Sequence, residues 1–360
     1  MQAAVHDPVA TLRPRIQSVL DEMLDRQREL LGEESPDLLP LVDAAGDLVA
    51  GGKRLRPAFC YWGWRGAGAP DDPAIVAASA CLELFQAAAL IHDDLMDGSD
   101  IRRGMPSVHR RFAEHHAVRR WKGDPAQFGG AAALLLGDLC LGWSDELLHA
   151  SGLAEDALRR GRPVFERMRT ELMGGQFLDV LEQATGGLRP DGQAERARRV
   201  IRYKSAKYSV EHPLLLGGAL ADAGPRLLAS YSAYGLALGE AFQLRDDVLG
   251  VFGDPDQTGK PAGDDLREGK RTVLVAYALE QASAPQAETL ERLLGDHALD
   301  RAGVDALRAL IDDTGALDRV ERLISELVER STAALADAEV GPEARDALTA
   351  LITAATSRSA

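Results

Sequence analysis

The sequence predicts an all-α fold, a single large helical bundle around a central cavity, and three observations predict it. Apolar residues recur at three- and four-residue spacing, as in Leu12, Ile16, Leu20 and Leu24, then Leu82, Phe85 and Ala89, then Leu227, Tyr231, Tyr234, Leu238 and Phe242. Alternating β-branched runs bounded by turn signals are missing. Pro and Gly gather at 66–73, 122–130, 185–192 and 253–263, which read as loops separating long helices. Toward the C-terminus, Val304, Leu307, Leu310 and Ile311, then Val320, Leu323, Ile324, Leu327 and Val328, form amphipathic stripes suited to packing on the rest of the bundle. No internal repeat or low-complexity linker divides the chain, so one domain over residues 1–360 is expected.

Composition narrows the function classes. The chain has 360 residues, 46% hydrophobic, and a formal net charge of −15, so long-range attraction to nucleic acid or an anionic bilayer is not expected. Any anion it binds must be met by a local basic cluster. Three cysteines, Cys60, Cys81 and Cys140, form no C-x-x-C pair, which fits a reducing compartment, with the cytoplasm as the default. The first fifteen residues show no apolar signal core. The longest uninterrupted apolar run, 273–279, is too short to span a bilayer, so neither secretion nor a membrane span is expected.

Two acidic constellations end apolar helical stretches. Asp93 and Asp97 are four residues apart and share a helix face, with Asp94 about 100° round. Like charges emerging from a core call for a cation, and hard oxygen donors of this kind suit Mg²⁺. Asp246 and Asp247 follow the run from Phe242 in the same way. Two such clusters across a helix-lined cavity would hold several divalent ions around one diphosphate.

The basic groups complete the pattern. In Gly51-Gly52-Lys53-Arg54-Leu55-Arg56-Pro57, Lys53 and Arg56 lie three apart after glycines that let backbone approach a ligand. Arg102 and Arg103 follow the first acidic motif. Only six of the 41 basic residues are lysine, and Lys53, Lys204, Lys260 and Lys270 fall in the segments singled out. Guanidinium forks suit bidentate phosphate recognition, whereas an ammonium acts as a point charge on a leaving oxygen. His92, His115 and His116 form no H-E-x-x-H pattern and read as structural or surface groups.

These residues resemble the trans-isoprenyl diphosphate synthases, or polyprenyl synthetases, which include farnesyl and geranylgeranyl diphosphate synthases. The resemblance runs through the motif-bearing part, 51–272. It rests on Gly-Gly-Lys-Arg-Leu-Arg-Pro at 51–57, the Asp-rich motif at 93–97, Arg-Arg-Gly-Met-Pro at 102–106 and Gly-Gln-Phe-Leu-Asp at 175–179. Lys204-Ser205, Phe-Gln-Leu-Arg-Asp-Asp at 242–247, Gly-Lys-Pro at 259–261 and Gly-Lys-Arg-Thr at 269–272 follow in family order. The resemblance implies an all-helical enzyme, commonly a homodimer, that condenses isopentenyl diphosphate with an allylic diphosphate. It implies two or three Mg²⁺ ions as cofactor, with Asp93, Asp94, Asp97, Asp246 and Asp247 as the metal residues, Asp93, Asp97 and Asp246 foremost. Arg102, Lys204 and Lys260 would clamp the allylic diphosphate. Lys53, Arg56, Gln86 and Arg103 would take isopentenyl diphosphate, and Ser205, Gln243 and Lys270 would line the substrate.

The mechanism follows from charge. Breaking the allylic C–O bond makes a carbocation and a highly charged diphosphate, so preplaced cations lower the barrier, and apolar walls keep water from the cation. Two positions depart from the family pattern: Gly250 stands where a third aspartate is common, with Asp254 a turn further on, and Ser205 stands where threonine is usual. Upstream of Asp93 the helix runs away from the diphosphate, reaching position 88 after about 7 Å and position 85 after about 12 Å. Ala88 and Ala89 leave the floor open, and Phe85 would close it one isoprene later, which favours geranylgeranyl diphosphate over farnesyl or longer products. A terpene cyclase would need one diphosphate site and usually lacks the second Asp pair; a non-catalytic partner subunit of a heteromeric synthase would have decayed Asp motifs. Lys53, Arg56 and Arg103, with Asp93, Asp94 and Asp97 intact, argue against both.

Overall fold

The protein is seen in a computed structural model that describes residues 7–185, 188–189, 191–253, 263–296 and 298–356. Almost all of its regular structure is helix, as the periodicity predicts. The chain groups into two compact units, each described by itself. The first comprises Met1–Phe165, Pro213–Leu228 and Glu339–Leu351; the second comprises Glu166–His212, Ala229–Ala338 and Ile352–Ala360.

In the first unit, α1 (Leu12–Glu34) buries the predicted stripe of Leu12, Ile16, Leu20 and Leu24. Helices α2 (Leu39–Val49) and α3 (Leu55–Gly66) follow. Helix α4 (Pro73–Asp97) starts where Asp72 accepts a hydrogen bond from the Ala74 amide, with Pro73 at the first helical position, and ends at Gly98 in the left-handed region. After α5 (Val108–Val118), helix α6 (Pro125–His149) is capped in the same way by Asp124. The expected loop at 122–130 is therefore shorter than predicted. Gly129 and Gly130 lie inside α6, and a Cβ on Gly129 would come 2.1 Å from the His109 carbonyl oxygen, so this glycine lets α5 and α6 approach closely.

The sequence predicts no strand, yet a short one is present. A two-residue antiparallel ribbon, β1 (Ile101–Arg102) with β2 (Met105–Pro106), closes around Arg103 and Gly104, both at positive φ (54° and 75°), as a type I′ turn requires. Helices α4 and α6 are also long and apolar enough to cross a membrane, which counting uninterrupted apolar residues missed because polar residues interrupt them. In α4, 72% of that window is buried, the mark of a core helix; in α6 only 33% is.

Helix α7 (Glu155–Thr185) leads toward α8 (Gln193–Val200), a π-helix (Ile201–Glu211), α9 (His212–Leu220) and α10 (Pro225–Phe252). The second unit's core gathers Ala237, Leu244, Val248 and Val251 of α10 with Val273, Leu274 and Ala278 of helix Val273–Gln281, and with the predicted C-terminal stripes at Val304, Leu307, Val320 and Ile324. Thr272 accepts from the Val275 amide and starts helix Val273–Gln281.

One buried charge pair anchors the entry to α3. Arg54, at φ 53° and 3% exposed, turns its guanidinium inward to Glu83 of α4, to Gln17 and to the Val49 carbonyl. Removing one partner leaves the other charged and dry, at a cost of about 3–5 kcal/mol. Glu83→Ala is expected to lower stability by about that much in urea titrations, and a loss near that of an exposed pair would show that the guanidinium does not depend on Glu83.

Candidate active site

In the first unit the acidic motif occupies the last turns of α4. Positions 86, 89, 90, 93 and 97 are partly exposed at helical spacing, so Gln86, Ala89, Asp93 and Asp97 share one helix stripe, with both Asp97 carboxylate oxygens themselves buried. Asp94 points elsewhere. It is 2% exposed and accepts from Arg102, whose Nε lies 2.9 Å from Oδ1 and whose Nη2 also bonds it. Arg102 Nη2 stands 3.6 Å from Asp93 Oδ2 as well. The predicted clamp arginine is thus seated against the predicted acidic motif, with Asp94 as its counter-ion and Asp93 within reach. Phe85 and Ala88 are buried beside the stripe, and Phe85 meets Phe165 of α7 edge-on at 5.9 Å.

The basic motif divides by function. Lys53 is exposed, Arg54 serves the core, and Arg56 donates from Nη1 to Gln86 Oε1. Two residues 30 apart, both expected at the isopentenyl diphosphate site, are thereby brought together. Arg103 hangs from the ribbon turn and donates to the Leu48 carbonyl at 2.9 Å. Partial desolvation lowers its pKa, Glu83 opposes this, and Arg102, Arg54 and Arg56 lower it further. Positive charge gathered around Arg103 in this way favours an anion beside it. His116 bonds the Lys122 carbonyl at 3.1 Å, and His115 and His116 lie edge-on to Trp121, in keeping with structural roles.

In the second unit, Lys204 Nζ donates to Asp179 Oδ2 at 2.5 Å, and Ser205 Oγ donates to Gln243 Oε1 at 2.5 Å. Gln243 Nε2 in turn donates to Asp247 Oδ1 at 2.8 Å. Asp246 is partly exposed and Asp247 is buried. Burial pushes the Asp247 carboxyl up to about 8; the Gln243 bond lowers it, Asp265 and Asp246 raise it, and Lys270 lowers it. Lys270 pairs with Asp265 (3.4 Å) and Glu268 (2.8 Å). Lys260 and Asp254 lie outside the described residues.

Sequence reasoning missed Asp265. A Cβ on Gly250 would come 1.9 Å from Asp265 Oδ2, so a carboxylate reaching in from helix Asp264–Arg267 fills the place where a side chain at 250 would begin. The glycine in the acidic motif and the aspartate fifteen residues later are one feature, and no spacing rule links them. Among the described residues no three His, Cys, Asp or Glu side chains converge into a metal cage. Mg²⁺ commonly uses one or two carboxylates with substrate phosphates and water, so this donor set is compatible with it.

The polyprenyl synthetase family profile matches residues 40–311, most of the chain. The chain belongs to the polyprenyl synthetase family. As a member it is a trans-prenyltransferase on the all-α isoprenoid synthase fold. A crystal structure of geranylgeranyl pyrophosphate synthase from Corynebacterium glutamicum, complexed with isoprenyl diphosphate and magnesium, is similar to it. The two share 38% identity with a TM-score of 0.93, covering 98% of this chain and 99% of the other. Geranylfarnesyl diphosphate synthase of Aeropyrum pernix is 31% identical, over 79% of this chain and 83% of its own length. Nonaprenyl diphosphate synthase of Mycobacterium tuberculosis is 29% identical, over 99% and 94%. These relatives carry names with different products, so overall likeness does not select a chain length.

A second polar group in this synthetase has no signature in the sequence. Glu171 of α7 accepts from Lys207 at 2.9 Å, from Arg167 at 2.9 Å and from His212 Nε2 at 2.8 Å. Burial would raise its carboxyl, but the bonds from Arg167, His212 and Lys207 outweigh this and bring it to about 2. The folded state thus prefers the carboxylate more than the unfolded chain does. That stability is present above the ordinary value of 4.5 and is lost as pH falls toward about 2. Glu171→Gln is expected to flatten the fall in melting temperature across that window; an unaltered acid slope would show that the carboxylate is not held as described.

Proposed function

We propose that this synthetase couples isopentenyl diphosphate to an allylic diphosphate and releases geranylgeranyl diphosphate. The observation that carries the reading is a second basic group in the first unit. Arg102 is committed to the acidic motif, and Arg56, joined to Gln86 with Arg103 nearby, is placed to meet another anion. A chain-elongating enzyme needs two diphosphate sites, and a cyclase needs one.

The residues then have distinct roles. Asp93 and Asp97 would hold Mg²⁺ in the first unit, and Asp246 with Asp247 would do so in the second, two or three ions in all. Their oxygens are hard donors, and the mutual repulsion that helps raise Asp247 is what a divalent cation relieves. When bound, Mg²⁺ supplies positive charge against the diphosphate that leaves. Arg102, Lys204 and Lys260 bind the allylic diphosphate, and the Lys204 ammonium is already aimed by Asp179. Lys53, Arg56, Arg103 and Gln86 orient isopentenyl diphosphate, and Lys270 completes the basic lining. The Ser205 and Gln243 oxygens face developing positive charge without a proton-abstracting base, so the proton lost after coupling leaves with the diphosphate. Asp265 brings the negative charge that a third aspartate at 250 would bring. The apolar stretch at 87–91 excludes water from the cation.

Product length is read from Ala88, Ala89 and Phe85, with the edge-on ring of Phe165 backing Phe85 as a stop. Helix α6 leaves Phe128, Leu134 and Leu135 exposed, an apolar face that fits pairing of two copies in a cytoplasmic homodimer.

Incubation with Mg²⁺, isopentenyl diphosphate and dimethylallyl, geranyl or farnesyl diphosphate should yield geranylgeranyl diphosphate from each primer. EDTA should abolish turnover; turnover that survives chelation, or a cyclised hydrocarbon as product, would overturn the reading. Phe85→Ala should shift chromatographed products to longer chains, and an unshifted distribution would remove Phe85 as the stop.

A further inference from the structure

Residues Ile201–Glu211 wind as a π-helix of eleven residues. Such turns are rare, mostly single bulges, and are found often at functional sites. This one carries Lys204 and Ser205. A π-helix is wider than an α-helix, so the helices packed on it must leave room. Here the room is made by glycine. A Cβ on Gly175 of α7 would come 2.4 Å from the Lys204 amide nitrogen. One on Gly239 of α10 would come 2.6 Å from Ala206 Cα, and one on Gly235 would come 2.6 Å from Glu211 Cα. Two helices thus yield near the start, middle and end of the segment.

The polar contacts depend on the same register. Lys204 bonds Asp179 on α7, and the next residue, Ser205, bonds Gln243 on α10. Lys207 pairs with Glu171 of α7 and Glu211, and Ser232 Oγ donates to Glu211 Oε1 at 2.5 Å. His212, just beyond the segment, also bonds Glu171. Rewinding to i→i−4 bonds would rotate each later residue relative to Ile201. Ser205 could not then stay on Gln243 while Lys207 and Glu211 stay on α7 and α10.

We propose that the π register of Ile201–Glu211, seated by Gly175, Gly235 and Gly239, is the device that aims Lys204 at the diphosphate of the allylic substrate and Ser205 at the allylic carbons beside it. The glycines are positioning residues, and the inference rests on the assignment of Lys204 and Ser205 to that substrate made above.

A double-mutant cycle tests it. Gly239→Ala, Ser205→Ala and the double variant are compared by KM and kcat for each substrate. Losing the hydroxyl should raise the allylic KM about three- to tenfold. Gly239→Ala should do at least as much, the double variant should be no worse than the poorer single, and the isopentenyl diphosphate KM should not move. Effects that multiply, or a Gly239→Ala enzyme with native allylic KM, would overturn the proposal, because a glycine that serves packing alone does not cancel the effect of Ser205. Should Gly239→Ala fail to fold, Gly175→Ala with Lys204→Met completes the same cycle: non-additive losses support the register, and multiplying losses overturn it. A wild-type enzyme that makes no prenyl product would defeat the functional reading itself; one that turns over normally while the effects multiply defeats only the register.

Discussion

Glu83, Asp94, Glu211, Glu240 and Asp247 lie almost wholly out of water, each 8% exposed or less. A carboxylate in that position costs several kcal/mol unless a cation or a donor meets it. Much of the local structure answers this demand. Arg54 takes a left-handed backbone conformation and turns inward to reach Glu83, which separates it from its neighbours Lys53 and Arg56. Arg102 is drawn onto Asp94, and Arg198 and Arg202 close on Glu240. Asp247 is bonded by the Gln243 amide, and burial raises its carboxyl by more than that bond and Lys270 lower it, with Asp265 and Asp246 raising it further.

The same demand separates neighbours within a motif. Asp94 and Asp93 are sequence neighbours, yet one is a counter-ion inside the protein and the other lies on a partly exposed stripe with Asp97. Arg102 thus bonds one carboxylate directly and stands 3.6 Å from the other. In the same way Arg54 is consumed by the core, while Arg56, two residues on, is held at Gln86. Alternate residues of one motif have been divided between the interior and the partly exposed face by the direction in which each side chain leaves its helix.

Glycine makes a parallel contribution in the second unit. Three glycines admit the π-helix, and a fourth, Gly250, admits the Asp265 carboxylate. None of these four sits at positive φ; each is there because a neighbour occupies the space a Cβ would need. This use leaves no trace in a propensity reading, where glycine signals turns. The misjudged loop at 122–130 has the same origin, since Gly129 is packed against α5 and breaks nothing.

The sequence by itself determined the helical class, the burial stripes of α1, α10 and the C-terminal helices, and the family. These follow from periodicity and from motifs of fixed order, both local properties of the chain. The tertiary structure alone decided which members of each motif face inward, that Arg56 and Gln86 meet across 30 residues, that Asp265 takes the space beside Gly250, and that Lys204 and Ser205 ride a π-helix. These outcomes depend on where a second helix lies and how closely it approaches, and the spacing of residues along one chain does not encode the distance between two.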